Sequence, residues 1–189
     1  LEYEFSEKAK TTIIEHGLTF PEILKKKEDM MKRLKLPSFP FICTLKDELR
    51  PKAKVEIGKT RVFEQSSLDF IMLCRKYMGH FIDMYRTHAG FTLYHGIGRE
   101  PESVWHKYAH TLFSNSTYGH AFDYKNFDGS LPKECFTFFH NIIKEYYKDA
   151  PQEDNNVREC LCVSMQNAVH IMGGFSFEST QGNKSGNAF

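Results

Sequence analysis

Across residues 66–88 the apolar positions Leu68, Ile71, Met72, Met78, Phe81, Ile82 and Tyr85 recur at three- and four-residue steps, predicting a long amphipathic helix with one core face. The same period marks residues 132–148, where Phe136, Phe139, Ile142, Ile143, Tyr146 and Tyr147 form one stripe. It also marks residues 157–172, through Leu161, Met165, Ala168 and Met172. Pro101 opens a further helix with Val104, Trp105, Tyr108 and Leu112 on one side, and Trp105 is expected as a core anchor. Ser6 can cap a short helix ending near Gly17, and Pro21 begins one running to Leu36 whose polar face carries Lys25, Lys26, Lys27, Lys32 and Arg33. Pro37 and Pro40 stop that helix.

Strand patterns are fewer. Residues 118–122 read as a short aromatic and apolar strand, and residues 175–180 alternate as a strand after the Gly173-Gly174 pair. Gly90, Gly96 and Gly98 punctuate a loop, and residues 149–156 read as a polar loop. The expected fold class is α+β, helix-rich with a short antiparallel sheet.

With 189 residues, 41% of them hydrophobic, the chain can bury one sizeable core or parts of two, so general disorder is excluded. Its five cysteines, Cys43, Cys74, Cys135, Cys160 and Cys162, are odd in number and lack CxxC spacing, so neither a disulfide framework nor a zinc site is indicated. They read as buried thiols of a reducing compartment. The histidines are scattered and read as surface or core residues rather than ligands. No apolar run approaches the roughly 20 residues needed to cross a bilayer. A start at Leu1-Glu2-Tyr3, with neither Met nor signal peptide, suggests a segment of a longer polyprotein.

The net charge is only +1, yet Lys46, Arg50, Lys52, Lys54, Lys59 and Arg61 fall within residues 46–61. Pro51 and Gly58 argue against a continuous helix there, and an extended segment would put Lys52 and Lys54 on one side. Such a ribbon could line a channel for phosphates, since polyanions need several cations held together. It could equally be a solvated charged hairpin partly neutralised by Asp47, Glu48 and Glu56. A second candidate is Asp123 and Asp128, which leave the 118–122 strand just before a helix opened by Leu131-Pro132. Carboxylates at such a junction suit a hard divalent cation, although acids there also serve as turn formers or helix caps.

These stretches together resemble the RNA-dependent RNA polymerases of picornavirus-like positive-strand RNA viruses. Lys46-Asp47-Glu48-Leu49-Arg50, Lys54-Val55-Glu56, Gly58-Lys59-Thr60-Arg61 and Glu64-x-Ser66-Ser67 resemble the family's fingers motif F. Asp123-Tyr124-x-x-Phe127-Asp128-Gly129-Ser130-Leu131 resembles palm motif A, and Gly98-Arg99-Glu100-Pro101-Glu102-x-x-Trp105 the stretch before it. Gly182-Asn183-Lys184-Ser185-Gly186-Asn187 resembles the core of motif B, with Lys184 where the family usually has Pro. The chain stops at Phe189, before the rest of motif B and the Asp-Asp hairpin of motif C.

The resemblance implies a right-hand polymerase segment, with fingers over 1–117 and a partial palm over 118–189. It implies template-dependent transfer of ribonucleotides to an RNA 3′ end by two Mg2+ or Mn2+ ions about 4 Å apart. Asp123 would be a bridging metal ligand, with the Tyr124 carbonyl a further one, and Asp128 would sit near the ribose 2′-hydroxyl and favour ribonucleotides. Reverse transcriptases share the first Asp but usually block that hydroxyl with a bulky side chain. Lys46, Arg50, Lys54, Lys59 and Arg61 would line the nucleotide channel, with Ser185 beside the incoming ribose; Lys52, Ser185 and Gly186 would meet the template. Expected partners are an RNA template-primer, ribonucleoside triphosphates and other viral replication proteins. The expected location is the host cytoplasm, at membrane-associated replication complexes. Alone the segment is expected to be inactive and, with an unpaired sheet edge, prone to aggregate. The alternative is a non-catalytic RNA-binding module in which Asp123 is structural.

Overall fold

A computed structural model describes residues 18–114 and 116–184; the helix expected at Ser6 lies outside them. The first helix, α1 (Phe20–Lys32), starts with Pro21 in its first turn, where no amide hydrogen is needed. The Glu22 carboxylate accepts from the Thr19 amide at 2.6 Å and from its hydroxyl at 2.7 Å, closing a capping box. The helix ends four residues short of Leu36, because Leu34 turns left-handed at φ 57°.

Strand β1 (Pro40–Leu45) and strand β2 (Val62–Ser66) follow, with a one-turn helix α2 (Lys52–Glu56) between them. Then comes the long helix α3 (Leu68–Thr87), formed where the apolar period foresees it. Helix α4 (Pro101–Phe113) and the short α5 (Phe127–Ser130) precede α6 (Lys133–Tyr146) and α7 (Gln152–Gln166). Strands β3 (Ala168–Met172) and β4 (Phe175–Ser179) complete the described elements. The sheet order is β2-β1-β3-β4. Its outer pairings are antiparallel, as expected, and the central β1–β3 pairing is parallel, so the sheet is mixed.

Helix α7 is the hub, packing against α1, α3 and α6. Val157, Cys160, Leu161 and Met165 fill its buried side, opposite Met31, Leu73, Met78, Phe81 and Ile143. The sheet joins this core through Phe41, which meets Phe70 edge-on at 5.6 Å, while Phe39 meets the same ring at 5.1 Å. Buried Arg158 ties three helices. Its Nε donates to the Tyr77 carbonyl at 2.8 Å, and its guanidinium lies 3.7 Å over the Tyr147 ring, whose hydroxyl accepts from the Phe81 amide at 3.0 Å. Arg99 closes the glycine loop by donating to the Thr87 and Ala89 carbonyls at the end of α3.

Several expectations are corrected. The helix expected over 157–172 ends at Gln166, because Ala168–Met172 pairs with β1 and β4 and its branched Val169 and Ile171 suit a ladder. The polar loop expected over 149–156 is shorter, since Pro151 starts α7 at Gln152. Residues 118–122 form no strand, because no described strand pairs with them, and Tyr118 and Phe122 stand exposed. Helix α6 packs on α7 and against Phe81. Trp105 is 67% exposed and α4 buries no residue, so Trp105 anchors no core among the described residues. Cys74, Cys160 and Cys162 are buried as expected, but Cys43 is only half-buried and Cys135 is exposed.

Candidate functional site

The basic run forms the tip of the β1–β2 hairpin. The Lys46 amide donates to the Arg61 carbonyl at 2.8 Å, carrying the ladder one step beyond the strands. At the tip, Pro51 begins α2 and Gly58 ends it at φ +64°. The Gly58 amide donates to Val55 and the Lys59 amide to Lys54, each at 2.9 Å, a paired closure that needs a left-handed residue at position 58. Pro51 and Gly58 thus bracket a helical turn, and the extended ribbon expected for Lys52 and Lys54 is not formed. Residues two apart do not share a helix face, so these two lysines diverge, and Lys52 lies 3.9 Å from Glu56 instead.

Glu48 organises the arginines. One of its carboxylate oxygens lies 3.4 Å from Arg50 Nε and the other 3.6 Å from Arg61 Nη1, while Arg50 Nη2 also donates to the Lys59 carbonyl at 3.3 Å. Two planar forks are held within reach of one another beside the hairpin tip, and the exposed amines of Lys54 and Lys59 extend the positive surface outward. Such an arrangement can engage several phosphate oxygens at once.

The acidic pair stands elsewhere on the chain. Asp123 and Tyr124 are exposed, and the Asp123 carboxylate makes no hydrogen bond or ion pair with another described residue. Asn126 adopts a left-handed φ of 55° and caps α5, which turns Asp128 inward. There Asp128 meets the residues after β4. Asn183 Nδ2 donates to Asp128 Oδ1 at 3.2 Å, the Asn183 amide to the Asp128 carbonyl at 2.7 Å, and the Gly182 amide to the Leu131 carbonyl at 3.0 Å. Gly182 is required twice over, because its φ is +79° and a Cβ there would stand 3.0 Å from the Asp128 carbonyl oxygen. Lys184 follows, only 1% exposed, its Nζ donating to the Gln166, Gln181 and Gly182 carbonyls. Burial holds the Lys184 ammonium below its usual range, partly offset by Glu64.

The geometry thus joins Glu48, Arg50, Lys59 and Arg61, and separately joins Asp128 with Asn183. Ser185 and Gly186 lie outside the described residues. Sequence reasoning placed Asn183 within the stretch resembling motif B but gave it no role, and gave Glu48 only a general neutralising one; the alternating signs of residues 46–50 hint at the latter. For a hard cation such as Mg2+, the Asp123 carboxylate and Tyr124 carbonyl are suitable oxygen donors. Among the described residues, however, neither Asp123 nor Asp128 belongs to a group of three potential ligands, so they fit as part of a coordination set.

The family model of viral RNA-dependent RNA polymerases matches residues 9–189. The genome polyprotein of Human rhinovirus 1B is 31% identical over 147 residues, which cover 78% of this chain and 6% of that polyprotein. The genome polyprotein of Cosavirus A is 41% identical over 92 residues, covering 49% of this chain and 4% of its own length. Among solved structures, the Sicinivirus 3Dpol RNA dependent RNA polymerase superposes with a TM-score of 0.69 at 24% identity, over 86% of this chain and 34% of that one. The chain therefore spans a small part of these polyproteins and about a third of the solved polymerase, whose likeness speaks for the fold.

Proposed function

Because the chain belongs to the viral RNA-dependent RNA polymerase family, we propose that it supplies the nucleotide channel and part of the metal and ribose site of an RNA-directed RNA polymerase. In this reading residues 1–117 are fingers and residues 118–189 the first part of a palm. The observation that supports it is the docking of Gly182 and Asn183 onto Asp128 and Leu131, the contact expected if 182–187 is motif B and Asp128 the second acid of motif A. Asp128 then presents a hydrogen-bonding carboxylate already oriented by Asn183, the arrangement needed to recognise a ribose hydroxyl. Arg50 and Arg61, spaced by Glu48, hold triphosphate oxygens, with Lys46, Lys54 and Lys59 adding charge and Lys52 near the RNA. Asp123 and the Tyr124 carbonyl would hold Mg2+ or Mn2+, which supplies activation of the attacking 3′-hydroxyl and charge neutralisation on the triphosphate. The partners are an RNA template-primer, ribonucleoside triphosphates and other replication proteins of the parent polyprotein, at membrane-associated complexes in the host cytoplasm. No helix among the described residues is long and apolar enough to cross a membrane.

Sugar choice tests the reading. In the polymerase polypeptide carrying this segment, Asp128→Ala narrows the preference for ribo- over deoxyribonucleotides by about 10- to 100-fold, the worth of one buried hydrogen-bonding group. An unchanged ratio in single-nucleotide incorporation removes Asp128 from that role.

The hairpin gives a second prediction. Glu48→Gln frees Arg50 and Arg61 from their shared carboxylate, so RNA binding tightens and its log–log salt dependence steepens by about one unit. A filter-binding series over salt reads this directly, and weaker binding would mean that the carboxylate's positioning of the forks outweighs its charge.

A further inference from the structure

Three strands bring unlike ligands to one point. Cys43 on β1 stands directly opposite Glu64 on β2, and His170 on β3 pairs with Phe41, two residues before Cys43 and on the same face. His170 Nδ1 lies 3.8 Å from Cys43 Sγ and 3.1 Å from a Glu64 carboxylate oxygen, and all three ligand atoms fall within 4.8 Å of one another. We propose that Cys43, Glu64 and His170 bind a zinc-class divalent cation that fastens the basic hairpin to β3, a site independent of the polymerase reading.

The geometry matches the ion. With Zn–S of about 2.3 Å and Zn–N and Zn–O of about 2.0–2.2 Å, the edges of a tetrahedron come to about 3.4–3.6 Å. The 3.8 and 3.1 Å separations lie to either side of that range, each within a few tenths of an ångström of it, and the third pair, Cys43 Sγ and the Glu64 carboxylate, starts within 4.8 Å and draws together on binding. The imidazole is also preset. His170 is 2% exposed, stacked on Phe177 at 4.8 Å, and its Nε2 lies 2.7 Å from Ser179 Oγ. Ion binding selects the tautomer whose Nε2–H donates to that hydroxyl, which turns the Nδ1 lone pair from Glu64 to the ion, the outer-shell arrangement that orients metal-bound histidines. Thiolate, imidazole and carboxylate leave the fourth position to water.

Charge and protons balance. Cys43 enters as a thiol, its ionisation opposed by burial and by Glu64, so each bound ion releases one proton to the medium as the sulfur–metal bond forms. Thiolate and carboxylate together cancel the ion's two charges. The nearby Lys184 ammonium, held by three carbonyls, then faces a neutral cluster. The cysteine count gave no zinc signal because the ligands come from three strands far apart in sequence.

The test is a Co2+ titration of the polymerase polypeptide carrying this segment. A near-ultraviolet thiolate-to-cobalt band saturating at one equivalent and displaced by Zn2+ is expected. Cys43→Ser and Glu64→Gln each weaken it at least tenfold, Ser179→Ala lowers affinity about 10- to 100-fold, and Cys135→Ser, the exposed thiol, leaves it unchanged. Circular dichroism on each variant separates lost ligation from lost fold. Absence of the band in the folded parent protein, or its survival in Cys43→Ser, overturns the proposal and leaves a hydrogen-bonded Glu64–His170 pair.

Discussion

Asp123→Asn in the polymerase polypeptide carrying this segment is expected to lower nucleotide incorporation by a factor of about 100 to 10,000 while leaving RNA affinity and its salt dependence nearly intact. The substitution keeps the shape of the side chain and removes the charge a divalent ion needs, and electrostatic support worth several kcal/mol of the barrier corresponds to that range. Asp123 makes no hydrogen bond or ion pair with another described residue, so no described contact is lost when its charge goes. On the proposed reading RNA affinity rests instead on the hairpin cations, which this change does not touch. Primer extension and filter binding on the same preparation separate the possibilities. Normal incorporation rejects the catalytic assignment and favours a module that only grips RNA, whereas joint loss of binding and incorporation makes Asp123 structural.

The candidate site was legible where its chemistry is local. Six cations in residues 46–61 and two acids around a turn stand out in the linear chain. What could not be read was how distant segments meet. Asn183 reaches Asp128 only after β3 and β4 have folded back, and Cys43, Glu64 and His170 gather only when three strands align. Secondary structure divides the same way. Helix α3 announces itself because one apolar stripe persists along its whole length. The 157–172 stretch misleads because Leu161, Met165, Ala168 and Met172 keep helical spacing throughout, while pairing of His170 and Ile171 with Phe41 and Ile42 converts its last part into a strand. Strands β1 and β2 were not foreseen, since an apolar run that opens on Pro40 carries no alternation. Pro51 and Gly58 were read as helix breakers, yet at opposite ends of one turn they define it.

Two aromatic substitutions should divide the molecule into packed and unpacked halves. Phe70 is 2% exposed and receives the edges of both Phe39 and Phe41, so it joins the start of α3 to the sheet. Phe70→Ala leaves a cavity the size of a ring between rigid elements, and is expected to cost about 3–5 kcal/mol. Against a typical total of about 5–15 kcal/mol, that loss lowers the urea midpoint steeply and populates the unfolded chain at ambient temperature. Trp105 has the larger side chain but stands two-thirds exposed on α4, which buries nothing among the described residues. Trp105→Ala in this chain is expected to shift stability by no more than about 0.5 kcal/mol. Urea unfolding of both variants in dilute solution gives the comparison. A cost at Trp105 matching that at Phe70 would mean the indole is covered in solution, and the exposed face of α4 would then have to be redrawn as part of the core.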